Sequence, residues 1–365
     1  MFSIIKVQKY LEFVEEKCKV RKLIGFAVPA VLLCATEAVK AQSNVTIYGI
    51  AEAGIRYSTN ANAAKNGKFE LSEGAVTASR LGLRGTESLG SGISSFFTLE
   101  AGFDLSTGQS LQGSSSSGYT QQGTGGTGRL FGRQAFVGLK NEYGALSFGR
   151  QYSVAYQMMG GAQIFGNPTV DTLIIVSKYT GVRQDNDIKY EGRFGGLTVG
   201  ADYAFGEAPG KMSANSGGGV AVGYTFGGAS LGATYATTYS ADGNEAKRLF
   251  GVAGNYVWGP FKATLGYLGN RYKTSDTRND LVIGGVSYRP GASWLVGMGA
   301  FWDKQRDPGG SRTGTYGMVS YQFSKRTNVY VEADYNLIHG RYQLIQSQGV
   351  PGGKIGMMVG LGHAF

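Results

Sequence analysis

The stretch VYVEADYNL (Val329–Leu337) changes chemical character at every second residue. Its odd-numbered positions are apolar or aromatic, whereas Glu332, Asp334 and Asn336 occupy even-numbered positions. An extended strand places alternate side chains on opposite faces, but a helix would mix the two groups on one side. The stretch therefore predicts a β-strand with one apolar and one polar face. The same alternation recurs at 220–226, 231–239 and 355–365.

Short and long connections between such segments alternate along the chain. Seven are short, such as 141–144, and eight are long, such as 58–75, 105–128 and 151–186. These connections predict sixteen strands in an all-β antiparallel meander, with every short turn at one rim. Strands of about 9–11 residues are long enough to cross a bilayer when tilted. An even number of strands with both termini at the short-turn rim is typical of a bacterial outer-membrane barrel.

The composition agrees with a barrel but also allows a soluble β-sandwich. The chain has 60 Gly without a collagen period, and its 22 Tyr and 19 Phe argue against disorder. A mean hydropathy of −0.13 looks soluble, yet only alternate residues of a transmembrane barrel face lipid. Trp258, Tyr288 and Trp294 fall near predicted strand ends, where aromatic rings favour the headgroup level of a membrane.

The first 41 residues predict a cleaved signal peptide. A basic segment (17–22) precedes an apolar run (23–38), and small residues lie at the −3 and −1 positions of a cut after Ala41. Removal of this peptide would take away both cysteines and lower the net charge from +10 to +7. The mature chain, 42–365, is then a single exported domain without a disulfide.

Four motifs and the C-terminal residue give the chain a resemblance to a known family. The motifs are SNVTIYGIAEAGIRY (43–57), SRLGLRGTESLGSG (79–92), FGRQAFVGLKNEYG (131–144) and VRQDNDIKY (182–190), and the last residue is Phe365. With these motifs in this order, the chain resembles the general diffusion porins of Gram-negative outer membranes, especially their betaproteobacterial branch.

The resemblance implies a 16-stranded transmembrane barrel whose third long loop, Gln151–Asn186, folds inward and narrows a water-filled channel. It also implies a homotrimer, contacts with outer-membrane lipid, and recognition of Phe365 by the barrel assembly machinery. The expected cargo is small hydrophilic solutes and ions that cross by passive diffusion. No cofactor, metal or nucleic acid is expected.

The family's constriction places basic residues on the wall opposite acidic residues on the inward loop. By motif match, the wall arginines are Arg80, Arg133 and Arg183, and Arg84 follows Arg80 on the same face. The chain departs from the family pattern in the loop, where Asp171 is the only acidic residue before position 185.

Alternation with Leu81 and Leu83 predicts that Arg80 and Arg84 point into the lumen. On the lipid face near the bilayer midplane, an arginine would cost about 2–4 kcal/mol. Rings of arginine lower the barrier for anions and raise it for cations, so we expect an anion preference. The alternative is that Arg84 only forms a structural ion pair with Glu87.

The tetrapeptide FGRQ occurs at 131–134 and again at 148–151, on either side of a predicted turn. Folding about that turn would place Arg133 and Arg150 at the same height, as two sides of one basic rung near the throat of the channel. Strict alternation puts both arginines on the face of Val137, but the family match favours the lumen for Arg133, with Phe136 outward. Arg150 could instead anchor acidic or carbonyl groups of the inward loop.

Two other functions stay open, and catalysis has little support. A substrate-selective porin would carry a line of aromatic residues along the lumen, for which Phe97, Phe103 and Tyr330 are too scattered. A non-channel adhesive surface protein would show a fixed repeat, and the sequence has none. The sequence GTGGTG (123–128) lacks the strand and helix that a dinucleotide site requires. The two histidines have no acid or serine at a catalytic spacing.

Overall fold

A computed structural model describes residues 44–112, 129–165, 175–275, 277–342 and 352–365. The strands are β1 (Asn44–Ser58), β2 (Lys68–Glu73), β3 (Arg80–Gly90), β4 (Ile93–Phe103), β5 (Ser110–Leu111), β6 (Gln134–Asn141), β7 (Gly144–Tyr152), β8 (Arg183–Phe194), β9 (Leu197–Ala204), β10 (Gly217–Phe226), β11 (Ala229–Tyr239), β12 (Ala246–Trp258), β13 (Phe261–Tyr272), β14 (Arg278–Tyr288), β15 (Trp294–Arg306), β16 (Gly310–Gln322), β17 (Thr327–Gly340) and β18 (Gly352–Ala364). Two short helices, α1 (Val154–Gly160) and α2 (Ile175–Thr180), lie between β7 and β8. No helix of the described residues is long and apolar enough to cross a membrane.

The strands form a closed antiparallel barrel with sixteen strand positions in its wall, which confirms the predicted fold class. Two of the eighteen strands add no position. β2 and β3 share one position, because β1 pairs with β2 through 53–58 and with β3 through 44–50. β5 is a two-residue extension that pairs with the end of β4 beyond β6.

The barrel closes between its first and last strands. β1 pairs with β18 from Ile50↔Ala364 to Ser58↔Gly356. The backbone of Phe365 extends this pairing, since it exchanges hydrogen bonds of 3.0 and 3.1 Å with Gly49. Both edge strands of the sheet are therefore hydrogen-bonded to each other, as a membrane-embedded sheet requires.

The alternation of the sequence sorts residues between the outside and the inside of the barrel. In β17, Val331 is 55% exposed, whereas Tyr330, Glu332 and Asp334 are at most 4% exposed. The apolar face of the opening stretch thus points outward and its polar face points into the barrel. At the short-turn rim, the rings of Trp258, Phe261 and Tyr288 stack outside the wall at centroid distances of 5.6 and 4.7 Å.

The connection between β7 and β8 folds into the barrel, as predicted for the third long loop. Its helix α1 begins at the cap Ser153, whose hydroxyl accepts a hydrogen bond from the backbone N–H of Tyr156. α1 packs against β9 to β12, and α2 packs against β13. Met159 and Ile175 have no exposed surface, so the loop is fixed to the inner wall by buried apolar side chains.

Glycines on the inner wall make room for this loop. A Cβ atom at Gly232 would lie 2.1 Å from the sulfur of Met158, and one at Gly266 would lie 2.5 Å from the Cβ of Ala162. Both distances are too short for non-bonded atoms, so the loop approaches the wall as closely as it does because side chains are missing there. We call these glycines the glycine groove; its members are Gly223, Gly232, Gly251, Gly266, Gly285 and Gly297.

The segment 74–79 interrupts the wall between β2 and β3, within a region that the sequence assigned partly to a long loop. The carboxylate of Glu52 accepts hydrogen bonds from the backbone N–H groups of Val76 (2.9 Å) and Thr77 (3.1 Å). The hydroxyl of Tyr330 accepts another from the N–H of Ala75 at 2.8 Å. These side chains replace the strand partners that the segment lacks, so its buried backbone N–H groups still have hydrogen-bond acceptors.

Candidate pore constriction

Arg80 and Arg84 point into the barrel, as the sequence predicted. Gly82, which lies between them, pairs with Tyr48 on one side and with Glu100 on the other. The Arg84 guanidinium lies 5.1 Å from the centre of the Tyr48 ring, at the distance of a cation–π contact. Arg80 donates from Nε to the carbonyl of Ala78 at 3.0 Å, which ties it to the break in the wall. Stacking on Tyr48 is thus the contact that the structure gives Arg84, rather than the alternative ion pair with Glu87.

Arg133 also reaches the lumen, but for a reason that alternation did not supply. It lies one residue before β6, where its backbone N–H bonds to the carbonyl of Glu100 at 3.0 Å. Its Nε is 2.7 Å from Oε1 of the same glutamate. The expected outward position of Phe136 is wrong: its ring packs edge-on against Phe96 on the inner face, with centroids 6.0 Å apart. Regular alternation begins only after Arg133, so both side chains can face inward.

Tyr152 brings Arg133 and Arg183 together. Its hydroxyl accepts hydrogen bonds from Arg133 at 2.6 Å and from Arg183 at 3.1 Å. The Arg183 guanidinium also lies 4.7 Å from the centre of the Tyr152 ring. Tyr156 of α1 stacks on the Tyr152 ring at 5.2 Å, and its burial and proximity to Tyr152 raise the pKa of its hydroxyl. We call Arg80, Arg133, Arg183 and the two tyrosines the arginine–tyrosine cluster.

Arg150 does not form a rung with Arg133. It pairs with Ala135 in the hairpin, so Arg133 is two residues away along the opposing strand. Its Nε donates to the carbonyl of Gly132 at 2.7 Å, and its guanidinium lies 2.6 Å from the carboxylate of Asp185. The geometry supports the second interpretation of the repeated tetrapeptide for the carboxylate of Asp185, which lies within the predicted loop bounds; the carbonyl that Arg150 binds belongs to Gly132, outside that loop.

Acidic residues are sparse on the loop side of the candidate constriction, among the described residues. Asp171, the one acid expected in the inward loop, lies outside them. The described loop residues, 153–165 and 175–180, contain no Asp or Glu but do contain Lys178. Opposing carboxylates therefore come from the wall, where Glu100 already binds Arg133.

Two buried polar groups were not identified from the sequence. Arg56 binds Glu332 at 3.0 Å and Asp334 at 2.5 Å, and all three side chains are at most 5% exposed. The alternation of β1 contained a signal for Arg56, because it shares the inward face with Glu52. Its partners on β17 become neighbours only when the barrel closes, so spacing could not reveal them.

The second group holds the inward loop to β15 of the wall. Asp303 of β15 accepts a hydrogen bond of 2.5 Å from the hydroxyl of Tyr179 in α2, and a further one from Tyr342. Burial and the neighbouring polar groups raise the pKa of Tyr179 well above its usual value. Burial and Asp303 shift the pKa of Tyr342 in the same direction. Both hydroxyls therefore remain donors to Asp303.

A closed β-barrel with a polar interior, an inward loop and a cluster of inward-facing arginines has the architecture of an outer-membrane channel. Comparisons with known proteins agree. A sequence model described as Gram-negative porin matches residues 27–338, and the chain therefore belongs to the Gram-negative porin family. It is 28% identical to an outer membrane porin protein of Bordetella pertussis over 367 aligned residues, which cover 82% of this chain and 90% of the relative. It is also 28% identical to outer membrane porin protein 32 of Delftia acidovorans, over 81% of this chain and 74% of that one.

Solved structures show the same fold. An anion-selective porin from Comamonas acidovorans has a TM-score of 0.76 at 24% identity, with 89% of this chain and all of that one covered. The trimer form of OmpT from Vibrio cholerae has a TM-score of 0.63 at 15% identity, with 88% and 99% covered. The protein is thus an outer-membrane porin, a passive channel for small solutes and ions. This family consists of channels rather than enzymes.

Proposed function

We propose that this porin conducts anions in preference to cations, and that the arginine–tyrosine cluster sets the preference. The observation that carries the proposal is the convergence of Arg80, Arg133 and Arg183 on one side of the lumen. Glu100 balances one of these charges through its ion pair with Arg133, which leaves the cluster with a net charge of +2. Arg84, on the same inner face, adds a further positive charge.

The expected size of the effect follows from Coulomb's law. An anion about 6 Å from one guanidinium in water gains about 0.7 kcal/mol, which corresponds to a roughly threefold local enrichment. A cation at the same place is depleted by a similar factor, so removal of one arginine should change the ratio of permeabilities several-fold. The structurally similar porin from Comamonas acidovorans is anion-selective, which agrees with this direction.

Reversal potentials in a planar bilayer under a KCl gradient test the proposal. The wild-type channel should select chloride, and both R80Q and R183Q should reduce the ratio of chloride to potassium permeability. R150Q is the matched control, because Arg150 lies outside the cluster and shares the carboxylate of Asp185 with Arg129. Cation selectivity of the wild type, or an equal shift in R150Q, would contradict the proposal. Saturable block of the current by an added solute would instead favour a substrate-selective porin.

We also propose that the functional unit is a homotrimer, that residues 1–41 are removed on export, and that Phe365 is read by the barrel assembly machinery. The trimeric form of a structural neighbour supports the first statement. Native mass measurement of the purified protein tests it, and a monomer would contradict it without affecting the barrel. Sequencing of the mature N-terminus should begin at Gln42, and deletion of Phe365 should reduce the amount of assembled protein in the membrane.

A further inference from the structure

Three polar side chains meet on the inner face of the barrel, at the long-loop ends of β11, β12 and β13. Thr238 lies directly opposite Lys247 in the strand register, and Lys247 lies opposite Tyr272 on the next strand. Asn270 precedes Tyr272 by two residues and is therefore a diagonal neighbour of Lys247. Opposed side chains are about 4.5–5.5 Å apart at Cβ and diagonal ones about 7–8 Å, which a long side chain can span. We call Thr238, Lys247 and Asn270 the lysine triad.

The lysine triad faces the interior of the barrel and is largely removed from water. Arg248 and Arg271, which alternate with its members along β12 and β13, are exposed. Lys247, in contrast, is 5% exposed, Thr238 is 8% exposed and Asn270 is 1% exposed. Since short turns are periplasmic in outer-membrane barrels, the long-loop ends of the strands lie on the external side. The triad therefore belongs to the external half of the lumen.

The two neutral members of the triad lack hydrogen-bond partners within the described part of the chain. Oγ1 of Thr238 is buried without one, and so are both Oδ1 and Nδ2 of Asn270. The hydroxyl of Tyr272 lies close to the Asn270 amide but does not complete a hydrogen bond of good geometry with it. Most buried polar atoms in proteins are hydrogen-bonded, so three that are not, on adjacent strands, point to a ligand that completes them.

The ammonium group of Lys247 has no counter-ion. Among the described residues it forms neither an ion pair nor a hydrogen bond, and no charged group lies near enough to act on it. Glu245, the nearest acidic residue in the sequence, accepts hydrogen bonds from the backbone N–H groups of Lys273 and Thr274 instead. A buried charge is strongly unfavourable unless an opposite charge accompanies it. The missing partner of the triad is therefore an anion.

We propose that the lysine triad binds a small 2-hydroxycarboxylate. The triad carries one positive charge, which one carboxylate neutralises. Nζ of Lys247 and Nδ2 of Asn270 donate to the carboxylate oxygens through charge-assisted hydrogen bonds, and Oγ1 of Thr238 supplies a third donor. Oδ1 of Asn270 is an acceptor that a carboxylate cannot satisfy. A hydroxyl group on the carbon next to the carboxylate donates to it, so this ligand completes every unpartnered atom of the triad.

The lysine triad is separate from the arginine–tyrosine cluster. Four strand positions lie between β8, which begins at Arg183, and β12, which carries Lys247. At about 4.8 Å per strand, this is about 19 Å along the wall. The cluster combines several guanidinium groups and suits anions of higher charge, whereas the single ammonium of the triad matches a monoanion. The proposal does not depend on the ion selectivity of the channel.

Saturation-transfer NMR of the detergent-purified full-length protein tests the proposal, with L-lactate as the probe and propionate as the same acid without its hydroxyl group. Lactate should bind the wild type at least tenfold more tightly than propionate. K247M and N270A should each lose at least tenfold in lactate affinity, and T238V should show a smaller loss. K247M removes an uncompensated buried charge and T238V keeps the shape of the side chain, so both variants should fold.

K262M is the matched control, because Lys262 lies on the same inner face of β13 but at its short-turn end. It should bind lactate like the wild type, and so should R80Q, which alters the arginine–tyrosine cluster instead. Unchanged lactate affinity in K247M would overturn the proposal, as would an equal loss in K262M or R80Q.

Two further outcomes would also overturn the proposal. Propionate that binds as tightly as lactate would identify a general anion site and remove the assignment to hydroxy acids. Lactate binding that is absent from the wild type but present in D171N would show that a carboxylate of the protein itself neutralises the lysine.

Discussion

Substitution of Gly266 by alanine should displace the inward loop. The added Cβ would lie 2.5 Å from the Cβ of Ala162, whereas carbon atoms in contact are separated by about 3.5–4.0 Å. The two atoms must therefore move apart by about 1 Å. Ala162 is fully buried and has no side-chain torsion that could relieve the contact, so its backbone must move. Overpacking of this kind costs about 1–3 kcal/mol, and movement away from the wall narrows the channel.

Two measurements check this prediction. Urea unfolding from lipid vesicles should show a loss of about 1–3 kcal/mol in G266A, and planar bilayers should show a lower single-channel conductance. The double variant A162G/G266A removes the opposing methyl group and should regain much of both, with a coupling energy of about 1 kcal/mol or more. G317A is the control, because its new Cβ would meet no atom closer than 3.6 Å. Wild-type behaviour of G266A, or additive effects in the double variant, would refute the reasoning.

Two further predictions concern the buried polar groups. R56M leaves the carboxylates of Glu332 and Asp334 buried without their cation. It should lower the free energy of unfolding by about 3–5 kcal/mol in the same urea assay. R56M/D334N should recover part of this loss, and an R56M variant as stable as the wild type would contradict the role of the ion pairs. Burial raises the pKa of Tyr179, so the folded barrel keeps this hydroxyl protonated above pH ~10, where the unfolded chain loses the proton. The free energy of unfolding should therefore fall as the pH rises above about 10, by at most about 1.4 kcal/mol per pH unit for this group. Y179F should show a shallower fall, whereas identical pH profiles would exclude this contribution.

The faces of regular strands could be predicted from the sequence alone. Alternation placed Arg80 and Arg84 in the lumen, and the structure agrees, because each lies within a strand that is paired on both sides. A paired strand leaves its side chains only two directions, so a single outward leucine determines the direction of its neighbours. The number of strands was also predictable, because each connection joins two neighbouring strands, so the fifteen connections imply sixteen strands.

Where pairing is irregular, alternation loses its predictive power. Arg133 lies before β6, and Arg150 lies at a register shift between Gly149 and Gln151. At such points the direction of a side chain depends on its partners, here Glu100 and Asp185. Those partners belong to other strands, and their positions follow from the assembled barrel.

The break at 74–79 was unpredictable for a related reason. Its backbone donors are satisfied by Glu52 and Tyr330, which come from the beginning and the end of the chain. Local sequence gives no sign that a carboxylate on β1 will stand beside these N–H groups. The glycine groove is an intermediate case, because the glycines are visible in the sequence, but the part of the inward loop that packs against them is identified only by the fold.

The pairing of β1 with β18 has a consequence for biogenesis. The hydrogen bonds between Gly49 and Phe365 join opposite ends of the chain, and contacts between such distant residues form late and slowly during folding. Until the last strand arrives, a nascent sheet has two unpaired edges that neither lipid nor the periplasm can satisfy safely. A chain that ends early can therefore never become a closed cylinder and stays prone to aggregation and degradation. Completion of synthesis is thus a precondition for a stable place in the membrane.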